Sequence, residues 1–136
     1  MKKYSYSIVL GLLLSTFSVL GQTDPKIYDI IEAVSADRIE NSVKNLVGFG
    51  TRHTLSDTLS TTRGIGAARR YIKGEADIIS SECGDCLEVF YQHNFFPKGT
   101  NERIVKDVDI VNVVAIKRGI KNPNHFIIMS GDIDSR

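Results

Sequence analysis

Two aspartates, Asp132 and Asp134, follow the apolar run Ile127-Ile128-Met129 and the pair Ser130-Gly131. An apolar run, a glycine and then acids is the pattern by which a buried strand delivers charged groups to the carboxyl edge of a sheet. Open α/β sheets keep their ligands at that edge. A carboxylate oxygen can ligate a metal ion, and two carboxylates this close repel unless a cation or proton intervenes. The alternative is that the two acids cap a turn. Only Ser135 and Arg136 follow. Zinc hydrolysis needs three or more protein ligands, a water and a base, so a site beginning here is expected to draw on residues beyond Arg136.

The other residues with chemical potential are fewer. Cys83-Gly84-Asp85-Cys86 is a C-x-x-C, which can hold zinc, run redox chemistry or close as a disulfide. A zinc knuckle would need a second ligand pair, and a redox pair needs cations or a helix N-terminus to depress a thiol pKa. Here the neighbours are Glu82 and Asp85. His53, in a Ser/Thr-rich loop, has no partners at ligand spacing and reads as a hydrogen-bonding residue. His93 and His125 fall in or at the start of strands and read as structural. Gly64-Ile65-Gly66 is part of a dinucleotide fingerprint, but no strand precedes it and the third glycine is absent. Small residues there allow close helix packing instead.

The whole chain is 136 residues, 42% hydrophobic and 24% charged, with 17 Lys+Arg against 16 Asp+Glu. That is room for one modest domain. Neither a basic field for nucleic acid nor an acidic tail is present. Lys2 and Lys3 precede an apolar stretch of 13 residues, Ile8 to Leu20. Val19-Leu20-Gly21 then suits cleavage, which makes residues 1–21 a secretory signal peptide. The stretch is short of the roughly 20 apolar residues a membrane span requires. The expected product is secreted or periplasmic, with no membrane attachment after cleavage. Removing Lys2 and Lys3 leaves 15 basic against 16 acidic residues, a charge of −1. In an oxidising compartment Cys83 and Cys86 are expected to form a disulfide, contributing roughly 2 kcal/mol through so small a loop.

Three helices and three strands are expected to position these groups. Pro25 opens a first helix with the stripe Ile27, Ile30, Ile31 and Val34. Ser35 caps a second, Ala36 to about Val47, with Ile39, Val43, Leu46 and Val47 on one face. These two helices are expected to cover one side of a sheet. Arg63 to about Ile79 is a long helix with Ile65, Ala68, Ile72, Ala76 and Ile79 inward. Arg69, Arg70 and Lys73 then form a solvated face. Strands are expected at Leu87–His93, Asp109–Ile116 and His125–Ser130, with a loop at Phe95–Asn101. The short turn Gly119–Asn124 predicts that the last two strands pair antiparallel.

Several of these segments resemble secreted zinc aminopeptidases with a co-catalytic metal pair. The resembling stretches are Ser35-Ala36-Asp37-Arg38-Ile39, Leu46 to Thr54, Thr62 to Ile72, Asn112-Val113-Val114-Ala115 and Gly131 to Arg136. The resemblance implies the N-terminal part of a phosphorylase/hydrolase-like α/β sandwich with a mixed central sheet. It implies hydrolysis of N-terminal peptide bonds in peptide substrates, with two zinc ions in the complete protein and at most part of one site in this chain. In that family the last segment reads His-x-Asp-Ser. Asp132 stands where the zinc-binding histidine is expected, and Asp134 where the aspartate that orients it is expected. This departure leaves two readings: Asp132 is a substitute oxygen ligand, or the site is degraded and the domain binds without catalysis. An aspartate ligand has no second ring nitrogen for Asp134 to hold. The family's remaining ligands and glutamate base lie further downstream, so the chain alone is expected to be inert.

Overall fold

The computed structural model describes residues 24–135, and the signal peptide read at 1–21 lies outside them. Two compact units divide the chain, the first ending at Ile39 and the second beginning at Glu40. Helix α1 spans Pro25–Glu32. Asp24, in extended conformation, accepts the Lys26 amide at 3.0 Å, and Pro25 occupies the first turn, where its missing N–H is no loss. Helix α2 spans Ala36–Gly48, with Ser35 Oγ accepting the Arg38 amide at 3.2 Å and Asp37 in the first turn. Neither helix buries a residue among those described. In α2 the stripe is only partly covered, with Leu46 half-buried and Val43 and Val47 exposed, so the expected cover over a sheet is not made by this helix among the described residues.

Burial begins with helix α3, Gly64–Glu82, which packs against both strands of the sheet. Ile65, Ala67, Ala68 and Val108 are the buried apolar residues. The first turn of α3 can be this tightly enclosed because two of its positions lack a side chain. A Cβ on Gly64 would lie 2.4 Å from the Asp57 carbonyl oxygen, and one on Gly66 would lie 2.1 Å from that of Thr58. Gly64 also has φ +73°, a conformation that carries a penalty for any residue with a Cβ.

Strands β1 (Glu88–Phe96) and β2 (Val108–Ile116) pair antiparallel, from Glu88 opposite Ile116 to Phe96 opposite Val108. Phe95 and Phe96 thus belong to β1 rather than to a loop. The α3–β1 connection is closed locally. Cys83 and Cys86 are disulfide-bonded with Cα atoms 5.5 Å apart, across Gly84 and Asp85 at φ +72° and +58°. Buried Ser80 donates to the Leu87 carbonyl at 2.9 Å and accepts the Leu87 amide at 3.2 Å. The architecture is α/β, helices with a two-stranded antiparallel sheet.

The third expected strand is corrected. His125–Ser130 joins no ladder, and the described sheet contains only β1 and β2, so the antiparallel pairing expected for β2 is made with β1 instead. Phe126, Ile127, Ile128 and Met129 are 80 to 96% exposed. Apolar, β-branched composition favours a strand, but a ladder forms only where a partner satisfies its backbone groups.

Candidate functional site

The segment carrying Asp132 and Asp134 is held by Arg52, in the loop that leaves α2. The last carbonyls of a helix lack intrahelical partners and sit at the negative end of its dipole. Arg52 reaches back to one of them, donating through one terminal nitrogen to Leu46 O and, at 3.3 Å, to Gly50 O just beyond the helix. Its Nε donates forward to Ile133 O at 2.8 Å. The Arg52 amide donates to Ser135 Oγ at 3.2 Å, and the Ser135 amide to Arg52 O at 3.4 Å. The same loop meets α3 through the Gly64 amide on Phe49 O at 2.9 Å and through packing of the Phe49 and Tyr71 rings, 5.9 Å apart. Ile133 is thereby fixed, and the carboxylates on either side of it are exposed.

Among the described residues no three His, Cys, Asp or Glu side chains converge as a metal site requires. Asp132 and Asp134 supply two carboxylates, fewer than the three protein ligands of a zinc centre. The described residues do not hold zinc by themselves. The histidines take other roles: His53 Nδ1 accepts the Leu55 amide at 3.1 Å, and the His125 backbone closes a turn onto Asn122 O at 3.0 Å. His93 Nδ1 lies 2.6 Å from Asp109 Oδ2, a hydrogen bond between diagonal neighbours on one face of the hairpin.

That face borders a cavity of about 500 Å³ between the first half of α3, the hairpin and the loop at 54–58. Arg69, expected on a solvated face, is instead buried at 7% exposure and lines this cavity. Its Nε finds no hydrogen-bond acceptor among the described residues. Burial pulls the guanidinium below its ordinary pKa, opposed by the negative field of Asp109 and by Tyr91. The neighbouring cations are engaged. Arg70 donates to the carbonyls of Thr58, Leu59 and Ser60, and Lys106 Nζ to Leu55 O at 3.2 Å. Lys73 pairs with Asp77 at 2.8 Å and stands 5.9 Å from the centre of the Tyr91 ring.

Sequence reasoning missed Arg52, Arg69 and the His93–Asp109 pair. A signal existed for Arg69, which lies four residues after Ile65 and three before Ile72, on the flank of the buried stripe. Arg52 carried none, because its partners are backbone carbonyls of another segment.

No protein-family profile matches the chain, and no solved structure matches it. Over most of its length, however, the chain is similar to fungal proteins that share one name, probable zinc metalloprotease. One from Pyrenophora tritici-repentis is 35% identical over 113 residues, 83% of this chain and 26% of the relative. Another, from Phaeosphaeria nodorum, is 38% identical over 117 residues, 83% of this chain and 23% of the relative. A third, from Pyricularia oryzae, is 40% identical over 119 residues, 88% of this chain and 21% of the relative. The chain spans about a quarter of the length of these curated relatives.

Proposed function

We propose that the chain is the N-terminal portion of a zinc-dependent metalloprotease, an aminopeptidase exported to the cell exterior or periplasm. The observation that carries the reading is the 35 to 40% identity to proteins named probable zinc metalloprotease, sustained over 83 to 88% of the chain. The Arg52 anchor supports it, because preorganised backbone is what a ligand-bearing segment needs. In this reading Asp132 supplies one oxygen ligand, Asp134 adds a second negative charge beside the metal, and the other ligands and the base come from the remaining length that the relatives have. The fold of the whole is then a sandwich around a mixed sheet, in which Phe126–Met129 finds its strand partners. Peptides are the substrates, two zinc ions complete the centre, and the chain alone is inert. The replacement of the expected histidine by Asp132 favours one competitor, a peptidase-like domain that binds peptides without cleaving them.

The deciding experiment uses the full-length protein. Asp132→Ala is expected to lower bound zinc and hydrolysis of an aminoacyl chromogenic substrate together. Metal content equal to wild type would remove Asp132 from the ligand set. A wild-type protein that binds peptides but never hydrolyses the substrate would favour the competitor.

A further inference from the structure

The Arg69 cavity offers a second site that uses none of the residues given a role in proteolysis. A buried guanidinium is unfavourable unless acceptors meet it, and Arg69 is more than nine-tenths buried with an Nε that no described group accepts. Arg70 and Lys106 share the cavity but already donate to backbone carbonyls. One cation is therefore available for one anionic group. Two carboxylates also line the space, Asp107 and Asp109. Each has an oxygen in use, Asp107 Oδ1 on the Lys98 amide at 2.8 Å and Asp109 Oδ2 on His93. Their field disfavours a polyanion such as phosphate and favours a ligand that brings its own positive charge. A planar carboxylate matches the guanidinium fork. A volume of about 500 Å³ falls within the range of small-molecule sites and suits a ligand of a few residues.

From these features we infer that the cavity binds a small zwitterion of amino-acid or short-peptide chemistry, its carboxylate on Arg69 and its ammonium toward Asp107 and Asp109. The test is calorimetric titration of the full-length protein and its Arg69→Gln variant with diglycine and with glycylglycinamide, which lacks the carboxylate. Amidation is expected to weaken binding to wild type about tenfold, the scale of a charged hydrogen bond lost, and to leave binding to Arg69→Gln unchanged. Such coupling assigns the carboxylate to Arg69 even where a second site in the protein also takes diglycine. Arg69→Lys keeps the charge without the fork and is expected to fall between, which preserves the test if Arg69→Gln does not fold. Equal losses on amidation in wild type and variant, or no diglycine binding by wild type, would overturn the inference.

Discussion

The start of α3 and the segment from 117 to 135 are both tied to the loop that follows α2, yet one is enclosed and the other lies open. At α3 the tie is steric as well as polar. Gly66 donates to Asp57 O at 3.1 Å, Ser56 Oγ accepts the Ile65 amide at 3.0 Å, and backbone crowds where side chains would stand. In the segment from 117 to 135 the tie runs through hydrogen bonds at Ile133 and Ser135. Arg52 fixes Ile133 and Ser135, while the side chains of Phe126–Met129 stay largely exposed. Hydrogen bonds position a segment in either setting, but only contact without voids excludes water from it.

The largest effect that would break this contrast is at Gly66. Gly66→Ala drives a Cβ into the Thr58 backbone, which cannot swing aside as a side chain would. A loss of roughly 3 kcal/mol is expected in urea unfolding. A loss under about 1 kcal/mol would mean that the loop at 57–58 yields readily and that the enclosure is not steric.

Arg52→Ala should sharpen the other side. It removes the guanidinium donor from the Ile133 carbonyl and leaves Leu46 O with the Phe49 amide alone, a loss of roughly 2 kcal/mol. Proteolysis between 117 and 135 should accelerate while amide exchange in the hairpin stays slow. Parallel loss of protection in both regions would show that the two are one cooperative unit.

The smallest effect concerns acid. Amide hydrogen bonds from Ser60 and Leu59 hold the Asp57 carboxyl below its ordinary 3.8, with Arg63 assisting at 3.7 Å. A depressed carboxylate stabilises the fold above its unfolded pKa, and that contribution fades as pH falls through the folded value. Unfolding midpoints of wild type should therefore drop more steeply below about pH 4 than those of Asp57→Asn, whose amide oxygen still accepts the same bonds. Identical acid limbs would sink the assignment.

How much of this was legible in the sequence depended on the range of the interactions. Asp24-Pro25, Ser35 and the 3.6-residue stripes identify helices within a residue or three of their observed bounds, because caps and periodicity are local. The need for small residues at Gly64 and Gly66 could also be read, though not which carbonyls they touch. His125–Ser130 has strand composition but no described partner, and pairing is a property of two segments. Arg69 departs from the expected solvated face because its charge alone points to solvent while the side chain is buried. Its spacing from Ile65 and Ile72 argued otherwise. For the candidate site, the sequence marks Asp132 and Asp134, whereas the guanidinium that holds their backbone lies 81 residues from Ile133.

That separation has a kinetic consequence. The Ser56–Ile65 contact closes a loop of nine residues, whereas the Arg52–Ser135 contact closes one of 83. Roughly three doublings of length add about 2 kcal/mol of closure entropy, comparable to what the Arg52 bonds return. The tie is therefore expected to form after α3 and the hairpin have met, on the native side of the folding barrier, and a φ-value near zero for Arg52→Ala would check this. Arg52→Ala should then speed release of the segment from 117 to 135 and leave the rate of folding almost untouched.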